Sequence, residues 1–192
     1  MLTVALALAA GFACGSIPFG PLFARLRNVD LRKVGSGNIG ATNAARALGK
    51  PLGVLVLICD AAKAIVPLVI ARRLQLSDEA VAALGFGAVL GHMFSPWLRL
   101  RGGKGVATGL GVFVVLAPIE AAIAAGAWVV LYAVTRVSSV GSLVAVCALP
   151  ALLWWRHEPR AFVALALALL PLILLKHRGN IARLLRREES KV

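Results

Sequence analysis

The sequence has little charge, few aromatic residues and very few acids. Only 8 of its 192 residues are Asp or Glu, against 21 Lys or Arg; 15% are charged in all and Tyr occurs once. That scarcity of charge excludes a disordered or low-complexity chain and argues against an ordinary soluble domain, where roughly a quarter of residues are charged. Cysteine is nearly absent. Cys14, Cys59 and Cys147 lie far apart inside apolar runs, with no CxxC or Cys/His spacing. A disulfide framework and a zinc site are therefore not expected, and neither a metal nor a cofactor is expected at all. No charge precedes Arg25, so the basic region of a cleavable leader is missing and residues 1–24 are expected to remain as a first span.

Apolar residues take the place of the missing polar ones, at 60% of the chain. They fall in seven runs, 1–24, 51–71, 80–98, 105–117, 121–135, 139–155 and 161–175. A full membrane crossing takes about 20 residues, so the fourth and fifth runs are the weakest. Merging them would put Glu120 in mid-membrane and Pro118 inside a helix, both costly. A turn at 118–120 removes both problems. The reading is an all-α integral membrane protein: one membrane-embedded domain, 1–192, forming a bundle of about seven short transmembrane helices.

With the N-terminus outside and the C-terminus inside, 16 of the 21 basic residues lie in inner segments and 4 in outer ones, while Lys63 lies within a helix. This asymmetry sets the expected orientation. In a soluble protein a net charge of +13 would suggest nucleic acid. Here it suggests anionic headgroups or phosphorylated substrates, and no nucleic-acid partner is expected.

Three inner segments are unlike generic linkers. The first is Gly35-Ser36-Gly37-Asn38-Ile39-Gly40-Ala41-Thr42-Asn43, followed by Arg46. It matches GxGxxG, but no strand precedes it, so a dinucleotide fold is excluded. Its glycines would let backbone amides converge on an anion, Ser36, Asn38, Thr42 and Asn43 would add neutral donors, and Arg46 a fork for phosphate oxygens. The bland alternative is a flexible juxtamembrane loop. The second runs from Gly91-His92 to Arg101-Gly102-Gly103-Lys104-Gly105. It lacks the Walker A spacing but places glycines and a lysine just before a helix, where an anion is welcome. The alternative is a basic anchor between helices, with His92 a satisfied structural group. The third, 176–185 with Glu189 beyond it, puts His177 and Asn180 at i and i+3 if helical. That pair could bind or deprotonate a hydroxyl; the alternative is a basic tail lying on anionic lipid.

Asp60 and Lys63, at i and i+3 inside the second run, are expected to form a structural ion pair near the site. Ser138 and Ser139 read as helix caps, and Ser142 as a cap or a group facing the site. Gly87-x-x-x-Gly91 and Gly105-x-x-x-Gly109 are expected at close helix contacts.

At these segments the sequence resembles the bacterial integral-membrane acyl phosphate:glycerol-3-phosphate acyltransferases of the PlsY type. The resemblance rests on GSGNIGATN with Arg46, GHMF followed by RGGKGVAT, HRGNIARLL with a downstream Glu, their order, and the Asp60–Lys63 pair. Two positions depart from the family's pattern: Ala64 follows Lys63 where glycine is usual, and Arg186-Arg187-Glu188 precede Glu189 where a glycine is common. The HxxxxD signature of other glycerolipid acyltransferases is absent, since Trp97, Phe162 and Ala182 stand five residues after the three histidines.

The resemblance implies transfer of a fatty acyl group from acyl phosphate to the 1-hydroxyl of sn-glycerol 3-phosphate. The products would be 1-acylglycerol 3-phosphate and phosphate, at the first acylation of phospholipid synthesis. It implies a multi-pass protein of the bacterial inner membrane with its site facing the cytoplasm. The implied partners are the two substrates and membrane lipids, with no obligate protein partner. Gly35, Ser36, Gly37 and Asn38, with Asn43, are expected to cradle the acyl phosphate. Arg46, Lys104 and His177 are expected to hold the glycerol phosphate, with Arg101, Gly102, Gly103 and Ser142 beside them. Asn180 would orient the acceptor, and the catalytic set would be His177, Asn180 and Ser36. No Ser-His-Asp triad is evident, so direct attack by the hydroxyl is expected, with either His177 or a substrate phosphate oxygen as base. The rival class is a small transporter of anionic phosphorylated solutes.

Overall fold

The structure is a computed structural model and describes residues 1–191. No strand occurs among them. Apolar runs that meet lipid fold as helices because only a helix satisfies its backbone polar groups within the segment. The first run forms α1 (Leu2–Gly15) and α2 (Phe19–Arg25), interrupted at Pro18, which cannot donate an amide hydrogen bond. A short α3 (Ala41–Leu48) leads into α4 (Lys50–Arg73), and α5 (Asp78–Met93) follows. The chain continues through α6 (Val106–Leu116), α7 (Pro118–Thr135), α8 (Ser138–Trp155), α9 (Arg160–Lys176) and α10 (Arg178–Leu185).

Five helical stretches are long and apolar enough to cross a membrane, and α9 with α10, bent by 60°, makes a sixth. All seven apolar runs are helical, but seven full spans are not what the lengths provide. α6 has 11 residues, about 16 Å, roughly half of a hydrocarbon core. The turn expected at 118–120 also differs. The break is the single residue Ala117, and α7 starts at Pro118 with Glu120 in its first turn. Proline is at ease there, because the first amide of a helix has no intrahelical partner. Glu120 is 1% exposed, and its Oε1 lies 2.5 Å from Nε of Arg156, at the C-terminal end of α8. A cation and a helix N-terminus therefore receive the carboxylate, and no loop is needed to carry it out of the bundle.

α1 and α5 pack backbone to backbone. A Cβ added to Gly15 would lie 1.9 Å from the Ala88 carbonyl oxygen, and one added to Gly91 would lie 2.2 Å from that of Phe12. Gly87 and Gly91 thus serve as expected. Of the pair at 105 and 109 only the first does, since a Cβ added to Gly105 would lie 2.6 Å from Met93 Cε and 2.9 Å from Val89 Cγ1 of α5. Gly105 also caps α6 in the left-handed region at φ +85°, and a Cβ on Gly109 would meet nothing within 4 Å. The close contact of α6 with α4 falls to Gly111, whose added Cβ would lie 2.3 Å from the Ala61 carbonyl oxygen. The apolar core, with Val81, Val89, Phe113 and Phe162, fills the space between α4, α5, α6 and α9. The start of α4 and the ends of α5 and α9 gather with α3 and α10 at one end of the bundle, around a common cavity.

Candidate active site

The segment after α5 folds back on that helix. The Gly102 amide donates to the Met93 carbonyl at 3.0 Å and the Gly103 amide to that of His92 at 3.1 Å. Added Cβ atoms would lie 2.0 Å from the His92 carbonyl oxygen and 2.2 Å from His92 Nε2, so only glycine permits this approach. Both amides are therefore spent on the last carbonyls of α5 and do not point at an anion. Lys176 Nζ also donates to the Met93 carbonyl, at 2.7 Å, which fastens α9 to the same turn. Arg101 is exposed, and its carbonyl accepts from Arg32 Nη2 at 3.1 Å. Arg101, Gly102 and Gly103 do not line the cavity; Lys104 and Gly105 do.

The first glycine segment winds around Asn43, which is 1% exposed. Asn43 Nδ2 donates to the carbonyls of Leu31 (2.9 Å), Val34 (3.0 Å) and Asn38 (2.8 Å), and Oδ1 accepts the Ser36 amide at 3.0 Å. Gly35 and Gly37 have φ of +57° and +68°, where other residues are strained. The Gly37 amide is already bonded to the Val34 carbonyl. These two glycines shape the loop and stand outside the cavity, whereas Ser36, Asn38, Thr42, Asn43 and Arg46 line it.

The third segment breaks at His177, between α9 and α10. His177 Nδ1 lies 2.8 Å from the Ile173 carbonyl. A carbonyl only accepts, so Nδ1 carries the hydrogen and the neutral ring keeps a lone pair on Nε2. Asn180 Oδ1 accepts from Lys104 Nζ, and Asn180 Nδ2 donates to Glu189 Oε1 at 2.5 Å. The tail after α10 folds back, so that Glu189 also accepts from Ser139 Oγ (3.0 Å) and Arg183 Nε (2.6 Å). Arg46 Nη2 donates to the Ser190 carbonyl at 2.8 Å, while Arg46 Nε is buried without an acceptor among the described residues. Ser142 is no cap. Its Oγ donates to the Ser138 carbonyl at 3.0 Å, accepts from Trp128 Nε1 at 3.2 Å, and borders the cavity.

Burial strips water from Lys104, and Arg183 and Arg46 lie nearby; against the pull of Glu189, the Lys104 ammonium is pushed down to about 8. Burial alone would raise the Glu189 carboxyl, but the hydrogen bonds from Arg183, Asn180 and Ser139 outweigh it and hold the group below the usual carboxylate range. Beneath these groups, Lys63 Nζ lies 2.9 Å from Asp60 Oδ1, 2.7 Å from His92 Nδ1 and 3.1 Å from the Ile17 carbonyl. The Asp60–Lys63 pair borders the site as expected, and His92 is joined to it through Nδ1.

The cavity holds about 360 Å³. Its polar end carries Ser36, Arg46, Lys104, Ser139, His177 and Asn180, and an apolar arm runs from there between α6, α7, α8 and α9. Ser139, Arg183 and the inward position of Glu189 were not legible as site features. Arg183 had one signal, its place three residues after Asn180 on the same face of α10. Ser139 had none beyond being polar at the start of an apolar helix.

A family pattern described as "Glycerol-3-phosphate acyltransferase" matches residues 5–187. A glycerol-3-phosphate acyltransferase of Anaeromyxobacter sp. (strain K) is 53% identical over 197 aligned residues, covering 98% of this chain and 96% of the relative. The glycerol 3-phosphate form of the integral membrane acyltransferase PlsY superposes with a TM-score of 0.93 at 37% identity, covering 98% of this chain and 95% of the other. Its lysophosphatidic acid form gives 0.90 at 36%, covering 98% and 94%. Likeness of this extent in both sequence and fold leaves one assignment: the chain belongs to the glycerol-3-phosphate acyltransferase family.

Proposed function

We propose that this protein acylates the 1-hydroxyl of sn-glycerol 3-phosphate with the acyl group of an acyl phosphate, releasing 1-acylglycerol 3-phosphate and inorganic phosphate. One observation carries the reading. Donors from three distant segments close on the oxygens of the protein's own tail, Glu189 and Ser190, at the mouth of an apolar arm. A ligand with a phosphate head and a fatty chain has the same two-part chemistry.

In this reading Lys104 and Arg46 neutralise the phosphates, and a phosphate oxygen accepts from the buried Arg46 Nε, which has no acceptor among the described residues. Ser36 and Asn38 hold the acyl phosphate. Asn180, fixed by Lys104, orients the glycerol phosphate. His177 Nε2 accepts a hydrogen bond from the 2-hydroxyl and so orients the acceptor, leaving the proton of the 1-hydroxyl free to move. The hydroxyl oxygen attacks the acyl carbon, the bond from that carbon to the phosphate oxygen breaks, and the proton goes to a phosphate oxygen of the substrates. Acyl phosphate is a mixed anhydride with a good leaving group, so positioning and charge neutralisation supply most of the rate.

The site faces the cytoplasm of the inner membrane in this proposal, with the N-terminus outside and the C-terminus inside. α6 starts beside Lys104 at the polar end, and α7 begins at the opposite end, where Glu120 meets Arg156. The two helices thus form a hairpin, which preserves the parity of a seven-helix chain although α6 is short.

Purified protein in lipid, given palmitoyl phosphate and glycerol 3-phosphate, is expected to release phosphate and 1-acylglycerol 3-phosphate in equal amounts, with no product from palmitoyl-CoA. Uptake of glycerol 3-phosphate into vesicles without a donor, and no ester product, would establish the transporter instead. His177→Ala is expected to raise KM for glycerol 3-phosphate and to leave kcat at saturation within about tenfold, since a base contributes about 10²–10⁴ and this group only orients. A fall in kcat of about 10³ would make His177 the base.

A further inference from the structure

The apolar arm has a floor. Along α9 its wall runs from the capping His177 through Ile173 and Leu169 to Ala166, eleven steps of helix or about 16 Å. Along α8 it runs from Ser139 to Leu149, about 15 Å. Half of a hydrocarbon core, the depth that one lipid tail fills, is also about 15 Å. At the far end stand Phe113, Ala121, Leu149 and Ala166. Below them Leu116, Leu153 and Phe162, 4%, 0% and 1% exposed, pack as solid core and do not border the cavity.

The walls are lined with small residues. Gly109 is buried, yet a Cβ placed on it would meet nothing within 4 Å, so the room beside it is the arm itself. Ala124, Ala125 and Ala145 face the same space from α7 and α8. A helix–helix contact of this kind is normally closed by side chains at packing density close to that of a crystal. Here truncated side chains hold open a channel about as long as one tail.

We propose that this arm is a closed-ended ruler for the acyl chain, and that Ala121 and Leu149 at its floor set the longest chain the enzyme transfers well. The inference rests on the acyltransferase reading and deepens it. A chain shorter than the arm leaves the floor unfilled and forgoes apolar burial, and a longer one meets the floor and must buckle or withdraw its carbonyl from the polar end. The alternative path leaves sideways, past Leu57 and Val129, which border the cavity and are 39% and 56% exposed, and on that path the floor has no influence.

The test is competition among octanoyl, palmitoyl and stearoyl phosphates for the full-length protein in lipid, with the acyl chains of the product identified by mass spectrometry. Ala121→Leu raises the floor. It is expected to lower kcat/KM for palmitoyl phosphate by about tenfold or more, while the octanoyl donor stays within about twofold. Leu149→Ala lowers the floor and is expected to shift the stearoyl-to-palmitoyl ratio in the opposite direction, by about threefold or more. A general loss of folding cannot produce opposite shifts. Active variants that both keep the wild-type chain profile would overturn the ruler and leave the acyltransferase reading standing. No acyl transfer by the wild-type protein from any of the three donors would overturn both.

Discussion

Lys104→Ala is expected to lower kcat/KM for glycerol 3-phosphate by about 10³-fold. In the proposed reading the ammonium sits where two phosphorylated substrates must be brought together against their own repulsion, and it fixes Asn180 through Oδ1. Charge-assisted contacts to a partly dry site contribute about 1.5–3 kcal/mol each, so the loss of two, about 4 kcal/mol, corresponds to about three decades. The same group gives a pH signature. With the Lys104 ammonium held at about 8, it is charged at pH 7 and mostly neutral at pH 9 in the free enzyme. Substrate dianions bind the charged form, so KM should rise roughly tenfold from pH 7 to pH 9. Lys104→Arg, whose charge does not titrate in this range, should flatten that rise even if its overall activity is lower. Steady-state kinetics across this range checks both. A loss below tenfold in the alanine variant would mean that the ammonium touches neither phosphate.

Lys63→Met is expected to be the most damaging substitution for stability. It leaves Asp60, which is 2% exposed, without its cation, and removes the donor to the Ile17 carbonyl and to His92 Nδ1. Stranding one charge of a buried pair costs about 3–5 kcal/mol. For a chain of this size that lowers the thermal midpoint by about 10 °C or more. The double variant Asp60→Leu/Lys63→Met removes both charges and should recover roughly half of the loss, because two acceptors remain unpaired but no charge is stranded. Thermal unfolding in detergent separates these outcomes. Equal destabilisation of the single and double variants would show that packing, and not the stranded charge, sets the cost.

Much of the architecture is legible in the amino-acid order because its causes are local. Apolar runs report helices, since lipid demands that each segment satisfy its own backbone. The spacing of Asp60 and Lys63 reports a pair, because residues three apart share a helix face. Gly87 and Gly91 report a close helix contact, and the polar segments around Ser36, Lys104 and Asn180 report the donors that line one cavity.

Other features depend on what lies across from a residue, which no local pattern records. Gly102 and Gly103 look like an anion cradle, but the carbonyls of His92 and Met93 take their amides. Gly105 and Gly109 have the spacing of a packing motif, but only the first meets a neighbouring helix and the second borders open space. Glu189 sits in a basic tail that could lie on lipid, yet Ser139, Asn180 and Arg183 draw it into the site. Arg101 carries the right charge and lies outside the cavity. The sequence by itself determined that this chain is a helical membrane protein and which donors it offers to an anion, because hydrophobicity, charge and hydrogen-bonding capacity belong to individual residues. Only the tertiary structure decided which donors stay free, where the tail rests and how deep the apolar arm runs, because each depends on a partner far away in the chain.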